Sequence, residues 1–560
     1  MRNHPRVFSH LLVFVTSLLL GACTGTNPAP TPSPTPLPTP TPTRTEATPL
    51  VFTDVTLEAG VDYLHLEMPP GGTGALPCGG VEVMTGGAAA GDYDGDGWQD
   101  LFVTRPIESD LLFRNLGDGS FEEVGETAGL DWAGTSNGAA WGDFDDDGDL
   151  DLYVTMLGEE SNRLYINGGQ GIFTEEAEAR GAHVPVLVAG KCTDNMSVSV
   201  HDFDNDGDLD LHITQWQRKD TTGGPYARLL VNNGTGNFSD QTIELGMDLS
   251  EAASFTTVFA DIDDDGLQDA LLAADWGTSR IFHNQGAAGF ADITQGAGVG
   301  SDENGMGATV GDIDGDGDLD WFVSAIYQDK EPCPEFWGCS GNRLYINNGD
   351  LTFTDGTDDW GVRDGGWGWG NSFVDYDNDG DLDLALTNGF NGSSLLSAQE
   401  FLSDAVRLWR NNGPGTPMID VATDSGFLHT GQGRAFLDFD YDNDGDRDIF
   451  IVNNLDHPVL FRNDGGNQQG RLQVQLRGNS ANPHGIGAKL ILKPTPDHPG
   501  LRRDMHGSSN FLGQSPIEVW FGIGRQQGSV HELSIWWPGE SEPQVLTGLA
   551  TDQLVTVEQP

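Results

Sequence analysis

The strongest constraint on the fold is a nine-residue pattern, D-x-D-x-D-G-x-x-D, that occurs seven times. Successive copies begin 51 to 65 residues apart. Self-similarity at such a period is typical of solenoids and propellers. The four aspartates of each copy are, in chain order, Asp92, Asp94, Asp96 and Asp100; Asp143, Asp145, Asp147 and Asp151; Asp202, Asp204, Asp206 and Asp210; Asp261, Asp263, Asp265 and Asp269; Asp312, Asp314, Asp316 and Asp320; Asp375, Asp377, Asp379 and Asp383; and Asp440, Asp442, Asp444 and Asp448.

Each copy has the residues of a calcium loop. Carboxylates at positions 1, 3 and 5 converge on one side of a tight loop, the glycine at position 6 permits the turn, and a carbonyl at 7 and the aspartate at 9 complete an oxygen cage. An EF-hand would require a glutamate at position 12 between two helices. That position is Val103, Val154 and Thr214 in the first three copies, inside strand-like runs. We therefore exclude EF-hands and expect up to seven Ca²⁺.

The segments around each loop predict four short strands. Apolar runs flank the loop, and a second hairpin of the form L-[FY]-x-N-x-G-x-G-x-F follows it, as in Leu112 to Phe121 and Leu164 to Phe173. Four-stranded units at this spacing are typical of β-propeller blades. The seventh copy lacks its fourth strand, and residues 52–56 have the matching sequence. The prediction is an all-β protein, a seven-bladed β-propeller with calcium loops that the N-terminal strand closes.

The region after the repeats predicts a small β-sandwich-like domain. Alternating apolar residues indicate strands at Leu472–Leu476, Lys489–Leu492, Ile517–Phe521 and Leu533–Trp537. Arg502, Arg503 and His506 are either an anion-binding group or part of a solvated loop.

The aspartate loops resemble the FG-GAP/VCBS repeats of integrin α-subunit propellers. The C-terminal succession Gly485-Ile486-Gly487-Ala488, Phe521-Gly522-Ile523-Gly524, Trp537-Pro538 and Asp552-Gln553-Leu554 resembles the ASPIC/UnbV domain. That domain follows such propellers in bacterial relatives of cartilage acidic protein. The two resemblances cover residues 51–560. They imply calcium binding at the quoted aspartates and no catalytic activity.

The first residues predict export and a lipid anchor. Arg2 and Arg6 precede an apolar run from Val7 to Leu20, which is the pattern of a secretory signal. Cys23 follows a small-residue pair as in a bacterial lipobox, although an ordinary signal peptide with an incidental cysteine fits the same residues. The Pro/Thr-rich stretch that follows favours an extended tether. We assign residues 1–22 to the signal, 23–50 to the lipidated cysteine and tether, 51–468 to the propeller and 469–560 to the ASPIC/UnbV domain.

The charge excludes one class of partner. Lys and Arg number 27 against 86 Asp and Glu, for a net charge of −59. Such a chain repels nucleic acids and anionic bilayers. We expect a carbohydrate or extracellular protein partner, contact with a membrane only through the lipid anchor, and a place at the bacterial cell envelope or surface.

The two faces of the predicted ring differ. The aspartate loops and the hairpin turns share one face, here called the aspartate face, and the remaining connections form the opposite connection face. The insertions fall in those connections, at residues 68–88, 183–197, 215–228, 325–343 and 388–406. So do the candidate aromatic residues Trp132, Trp216, Trp276, Tyr327, Phe336, Trp337, Trp367, Trp369 and Phe390.

We expect the connection face to carry binding, because function concentrates in loops on a rigid scaffold. The preferred ligand-face candidates are Trp216, Trp276, Tyr327, Trp337 and Phe390. Packing between blades is the competing explanation for at least half of the tryptophans.

The remaining cysteines favour disulfides. Cys78, Cys192, Cys333 and Cys339 all fall in these connections, and an even number in an exported chain indicates pairing. A Cys333–Cys339 bond would close one insertion, and Cys78–Cys192 would link two others.

Catalytic motifs are weak. Gly134-Thr135-Ser136-Asn137-Gly138 matches a hydrolase pattern, but Ser136 lies at a repeated turn position rather than in a strand–turn–helix setting. The preferred function is therefore a calcium-binding, surface-anchored binding or adhesion module. The alternatives are a polysaccharide-degrading lyase or hydrolase with a pocket on the connection face, and an assembly scaffold without a small ligand.

Overall fold

The structure is a computed structural model that describes residues 50–66, 82–158, 160–184, 193–216, 227–329, 338–391, 401–478, 482–525 and 528–560. The signal sequence, the tether and Cys23 lie outside the described residues, as do Cys78, Cys192, Cys333, Phe336 and Trp337. Within the described ranges, no helix combines the length and the apolar character needed to cross a bilayer.

The described strands form seven antiparallel four-stranded units, one around each aspartate loop, and units 2 and 3 are joined into one eight-stranded sheet where Thr193 lies opposite Gly158. Units 1 to 4 contain, in order, β2 (Ala88–Gly91), β3 (Asp100–Val103), β4 (Leu111–Asn115) and β5 (Phe121–Glu123); β6 (Ser136–Gly142), β7 (Asp151–Gly158), β8 (Arg163–Asn167) and β9 (Phe173–Glu175); β10 (Thr193–His201), β11 (Asp210–Trp216), β12 (Arg228–Asn232) and β13 (Phe238–Asp240); and β14 (Ala253–Ala260), β15 (Asp269–Asp275), β16 (Arg280–Asn284) and β17 (Phe290–Asp292). Units 5 to 7 contain β18 (Ala308–Gly311), β19 (Asp320–Val323), β20 (Arg343–Asn347) and β21 (Phe353–Asp355); β22 (Gly368–Val374), β23 (Asp383–Asn388), β24 (Arg407–Arg410) and β25 (Ile419–Asp420); and β26 (Gly433–Phe439), β27 (Asp448–Asn453) and β28 (Val459–Asn463) with β1 (Phe52–Asp54).

The units form a closed, propeller-like ring. Their first strands touch in cyclic order, from β2 through β6, β10, β14, β18 and β22 to β26 and back to β2. The N-terminal strand completes the seventh unit, since β1 pairs with β28 in antiparallel register from Phe52 opposite Asn463. These pairings confirm the predicted all-β propeller fold and its closure by the N-terminal strand.

Antiparallel pairing places the aspartate loops together. Each loop joins the first strand of a unit to the second, so all seven lie at the same end of the ring. Single-turn helices, which the sequence did not predict, follow several fourth strands and end at a glycine in the left-handed conformation, such as Gly129 at φ +84°. They are α1 (Thr56–Ala59), α2 (Gly125–Ala128), α3 (Thr294–Ala297), α4 (Thr357–Trp360) and α5 (Ala422–Ser425).

Apolar side chains pack between neighbouring units. At the boundary of units 1 and 2, the buried ring of Trp141 stacks on Tyr93 at 6.3 Å and lies 5.9 Å from Phe173. Side chains alternate between the two faces of each strand, so that apolar residues of one unit face the sheet of the next unit and pack against it.

The C-terminal region forms two small sheets over a shared core. One has the order β33-β29-β36 and the other β31-β30-β34-β35. The strands are β29 (Gly470–Arg477), β30 (Lys489–Lys493), β31 (Leu501–Asp504), β32 (Gly513–Gln514), β33 (Val519–Gly524), β34 (Glu532–Trp536), β35 (Gln544–Thr547) and β36 (Gln553–Glu558). Each of the four strands predicted from the sequence has a counterpart.

One segment of this domain, residues 506–515, enters the centre of the ring and is called the channel segment below. Its strand β32 pairs with β2, where Ala88 lies opposite Gly513. It also hydrogen-bonds to Trp141, Val200, Phe259, Ala308 and Phe436, and its Phe511 ring lies 5.0 Å from that of Trp369. The channel segment therefore contacts the first strand of every unit.

Closure by β1 should be important for stability. Phe52 is 5% exposed and packs 5.4 Å from Phe427 and 5.9 Å from Tyr376. We expect Phe52→Ala to destabilise the ring by about 3–5 kcal/mol, because it leaves a cavity at the seam. The control is Leu57→Ala, which removes a side chain that is 80% exposed and should cost less than about 0.5 kcal/mol. Denaturant midpoints measure both, and equal midpoints would contradict the closure role.

Candidate metal centres

The first aspartate of the loop organises its backbone. In unit 1, the Asp92 carboxylate accepts hydrogen bonds from the N–H groups of Asp96 and Gly97, both at 2.9 Å. The same arrangement recurs in other units, as for Asp375 with Asp379 and Gly380. Gly97 has φ +92°, a conformation that glycine adopts without strain. The sharp turn at position 6 is thus the one predicted from the sequence.

The curled loops bring ligand atoms together. In units 1, 3 and 5, the carboxylates at positions 1, 3 and 5 each offer an oxygen, and these oxygens lie within 4.8 Å of one another. In unit 2, the ninth-position aspartate joins the group in place of the fifth. The groups are Asp92, Asp94 and Asp96; Asp202, Asp204 and Asp206; Asp312, Asp314 and Asp316; and Asp143, Asp145 and Asp151.

The ninth aspartate connects the loop to the hairpin beside it. In unit 1, Asp100 is fully buried, and its carboxylate accepts from the N–H of Asn115 at 2.7 Å and of Tyr93 at 3.3 Å. Asp151, Asp269, Asp320 and Asp448 make the same pair of bonds in their own units. This structural role was not predicted from the sequence, although the Asn that recurs in each hairpin pattern is its signal.

The fourth loop differs from the others. His283 on β16 places its Nε2 atom 3.1 Å from Asp263 Oδ2, and these two residues cluster with Asp265. The equivalent strand position holds Arg114 in unit 1 and Ile166 in unit 2. This histidine was not predicted as a ligand from the sequence, although its place in the hairpin pattern is a signal for it. An imidazole adds a nitrogen donor, which suits transition metals better than calcium.

The loops fit a hard divalent cation. Asp202 Oδ1, Asp210 Oδ2, Asp312 Oδ1 and Asp383 Oδ2 are buried and accept no hydrogen bond. A buried carboxylate oxygen without a donor is costly unless a cation lies beside it. The 28 predicted ligands all belong to loops on the aspartate face, and the structure brings three carboxylates of one loop together in units 1, 2, 3 and 5.

The electrostatics lead to the same conclusion. Burial, reinforced by neighbouring aspartates, raises the pKa of Asp100 to about 9 and the pKa values of Asp151, Asp269 and Asp320 to about 8. A raised carboxyl pKa means that the charged form lacks compensation in the fold. A bound divalent cation would supply that compensation.

The C-terminal domain covers much of the aspartate face. Arg502, only 3% exposed, donates to the carbonyls of Gly317 at 2.9 Å and Asp261 at 3.2 Å, and pairs with Asp504 at 2.9 Å. Arg503 donates to the carbonyl of Gly380 at 3.2 Å. The prediction of a solvated loop around these arginines is wrong, because they dock the domain against the loops.

A buried ion triad joins the domain to unit 7. Arg447 lies 2.6 Å from Asp438 and 2.6 Å from Glu518 of the C-terminal domain, and all three side chains are at most 6% exposed. Beside it lies a cavity of about 150 Å³, lined by polar residues that include Ser372 and His506. Charges this deeply buried must be paired, so the domain forms one structure with the ring.

The expected exposure of two ligand-face candidates is wrong. Trp216 and Phe390 are each 7% exposed and pack in one apolar cluster around Phe511 and Leu512 of the channel segment. Trp216 is also fixed by a 3.0 Å bond from its Nε1 to Asp275. The physical reason is that the channel segment supplies an apolar core beneath the connection face.

The other aromatic candidates divide between core and surface. Trp367 and Trp369 are buried in the same cluster around the channel segment, so neither ring is exposed. Trp276 and Tyr327 are half-buried, and Trp337 lies outside the described residues. Trp132 is 40% exposed, and the Arg163 guanidinium lies 3.5 Å from its ring.

The structure also bears on the hydrolase-like motif and on the predicted disulfides. Ser136 is completely buried in β6 and donates to Asp110 at 2.5 Å, so no substrate could reach its hydroxyl. Cys339 is disulfide-bonded, and the Cys333–Cys339 and Cys78–Cys192 pairings stay predictions because three of those residues lie outside the described ranges.

Calcium removal should invert the usual effect of pH on stability. With raised pKa values, the metal-free folded state holds protons at Asp100, Asp151, Asp269 and Asp320 that the unfolded chain releases near pH 4. Stability should therefore fall as the pH rises from about 4 to about 9. Millimolar calcium should raise the melting temperature and reduce this dependence of stability on pH. Melting curves recorded at several pH values, with and without a chelator, measure both effects, and overlapping curves would refute the calcium assignment.

The family comparisons agree with this architecture. The FG-GAP-like repeat family matches residues 92–154, 146–213, 261–323 and 336–386. The ASPIC and UnbV family matches residues 478–560. The first set of matches contains six of the seven aspartate loops, and the second contains most of the C-terminal domain.

Curated relatives and solved structures show weaker similarity. Cartilage acidic protein 1 from Homo sapiens is 29% identical over 201 residues, 36% of this chain and 26% of that protein. The Mus musculus protein of the same name is 24% identical over 441 residues, 73% of this chain and 62% of that protein. The chain therefore spans less than two thirds of the length of these relatives. The Bacillus licheniformis rhamnogalacturonan lyase PL11 is 14% identical with a TM-score of 0.36, covering 67% of this chain and 71% of that chain.

The likeness to the lyase is too slight to bear on function. The chain carries FG-GAP-like repeats followed by an ASPIC/UnbV domain, and it is homologous to cartilage acidic protein 1.

Proposed function

We propose that the chain is an exported, lipid-anchored binding module in which up to seven calcium ions stabilise the ring. In this proposal the connection face recognises an extracellular protein or carbohydrate. The observation that supports it is the position of the C-terminal domain, which covers the aspartate face and fills the centre of the ring with its channel segment. The connection face is the broad surface that remains for a partner.

Calcium has a structural role in this proposal. Each ion would neutralise a group of carboxylates, such as Asp92, Asp94 and Asp96, that otherwise repel one another. A loop fixed in this way holds the first two strands of its unit at a constant angle. The connections at the other end of those strands are then presented on a rigid scaffold.

Export and anchoring rest on the sequence before the ring. The apolar run to Leu20, the lipobox-like Cys23 and the proline-rich tether support attachment to an envelope membrane. In this arrangement the tether would hold the ring away from the bilayer, and the net charge of the whole chain, −59, would repel anionic lipid.

The described part of the connection face presents aromatic side chains that a partner could contact. Trp132 is 40% exposed and is held by Arg163 and by a 3.2 Å bond from its Nε1 to Glu160. Trp276 and Tyr327 are half-buried in the connections of units 4 and 5. Flat, pre-positioned aromatic rings of this kind suit sugar rings and protein hot spots.

Binding should depend on the connection face. We expect Trp132→Ala combined with Tyr327→Ala to weaken binding to a responsive glycan or purified surface protein by about tenfold, because both variants remove pre-positioned contact area. The matched controls are Leu116→Ala and Ile172→Ala, which remove exposed apolar side chains, 45% and 52% exposed, from hairpin turns on the aspartate face. Biosensor titration against a glycan panel and candidate envelope proteins, in millimolar calcium, measures the affinities.

Two results would overturn the proposal. Equal losses in the controls and the connection-face variant would place binding elsewhere. New oligosaccharides detected by mass spectrometry after incubation with polysaccharides would instead support the alternative of a degrading enzyme.

A further inference from the structure

The sixth aspartate loop is the most deeply buried of the seven. Asp375, Asp377 and Asp383 are 2%, 1% and 1% exposed, whereas in unit 1 the aspartates at positions 3 and 5 are exposed to solvent. Asp383 Oδ2 is buried and accepts no hydrogen bond. The loop therefore holds several carboxylates and an unsatisfied oxygen in a place that water does not reach.

The C-terminal domain buries this loop. Trp520 Nε1 donates to Asn378 Oδ1 at 2.6 Å, the N–H of Gly524 donates to the Asn378 carbonyl at 2.8 Å, and Gln469 Nε2 donates to the Asp377 carbonyl at 2.8 Å. These contacts lie on the main chain and side chain of the loop itself. Strand β33 thus lies directly against the residues that would hold an ion.

One glycine makes this close approach possible. A Cβ at Gly522 would collide with the Asp375 carboxylate and with the main chain of Asn378. Arg503 also reaches the loop, where it donates to the Gly380 carbonyl at 3.2 Å. A single guanidinium cannot neutralise three buried carboxylates, and no hydrogen bond joins it to Asp383 Oδ2.

We propose that the sixth loop holds a divalent cation sealed beneath the C-terminal domain, so that this ion and the docking of the domain stabilise each other. This inference rests on the calcium binding of the proposed function and goes beyond it. The ion would leave only when β33 lifts from the loop. Because β33 and the channel segment belong to the same domain, lifting also withdraws Phe511 and Leu512 from the centre of the ring.

The inference predicts one slowly released ion per chain. Full-length protein loaded with calcium is mixed with an excess of a chromophoric chelator, and release is followed over time. We expect one ion to leave about tenfold more slowly than the others, since its release requires the domain to open. Hydrogen exchange of the channel segment in the chelator should increase at the same rate as this slow phase.

Two variants test the cause of the slow phase. Gly522→Ala should force β33 away from Asp375 and turn the slow phase into a fast one. Trp520→Phe, which removes only the donor to Asn378 and preserves an aromatic ring, should accelerate it by several-fold even if the glycine variant fails to fold. Leu554→Ala, at a side chain of the same domain that is 49% exposed, should leave the rate unchanged.

A paired substitution locates the slow ion. Asp383→Asn should remove the slow ion and expose the channel segment to exchange, whereas Asp100→Asn, at the same loop position in unit 1, should remove a fast ion. Release of all ions in a single phase, or a slow phase that persists in both Trp520→Phe and Asp383→Asn, would overturn the inference and leave the proposed function standing. A protein that binds no calcium at all would refute both.

Discussion

The whole ring depends on aspartates that are buried because they hold the backbone. The ninth aspartate of a loop accepts N–H bonds from two separate segments, as Asp448 does from Asn463 at 2.8 Å and Tyr441 at 3.1 Å. That bonding requires an ionised or strongly polar oxygen in the interior of every unit. The same loop gathers further carboxylates, so the geometry that fixes the strands also concentrates negative charge. The proposed cation would resolve this conflict, and it would account for aspartates that are repeated with the strands rather than confined to one site.

A ring of seven units has an open centre, which is lined by backbone groups that need hydrogen-bond partners. The C-terminal domain supplies those partners. The first strands expose backbone groups to the channel, and such groups require partners when water is excluded. The channel segment supplies them: the N–H groups of Val200 and Ala308 donate to the carbonyls of Gly507 and Asn510, both at 3.1 Å. Its apolar residues Phe511 and Leu512 then complete a core with rings from several units. The domain is therefore an integral part of the fold and cannot be described as an appendage to the propeller.

The sequence predicted the features that are local and repeated. The aspartate spacing, the glycine turns and the missing fourth strand of unit 7 each depend on neighbouring residues, and they indicated the loops and the closure by β1. The burial of Trp216 and the docking of Arg502 could not be predicted in this way, because each depends on residues far away in the chain: Phe511 packs in the same cluster as Trp216, and Arg502 bonds to Gly317, 185 residues away. The sequence shows that residue 216 is aromatic and that residue 502 is charged. Whether such a residue faces solvent or another domain is decided only by its long-range contacts.

The two faces of the ring consequently differ in what they can do. On the aspartate face, carbonyls and carboxylates are already engaged by the chain's own arginines, and Lys489 pairs with Asp264 at 3.1 Å. A partner that approached there would have to displace these contacts, and separating the buried Arg502 from its partners is costly because it leaves a charge unpaired. On the connection face, by contrast, the aromatic core lies beneath the surface and stiffens it, while residues such as Trp132 stay accessible. Rigidity beneath an accessible rim lowers the entropy lost on binding. In the proposed function, calcium would stabilise the end of each strand at the aspartate face and leave the opposite end free for recognition.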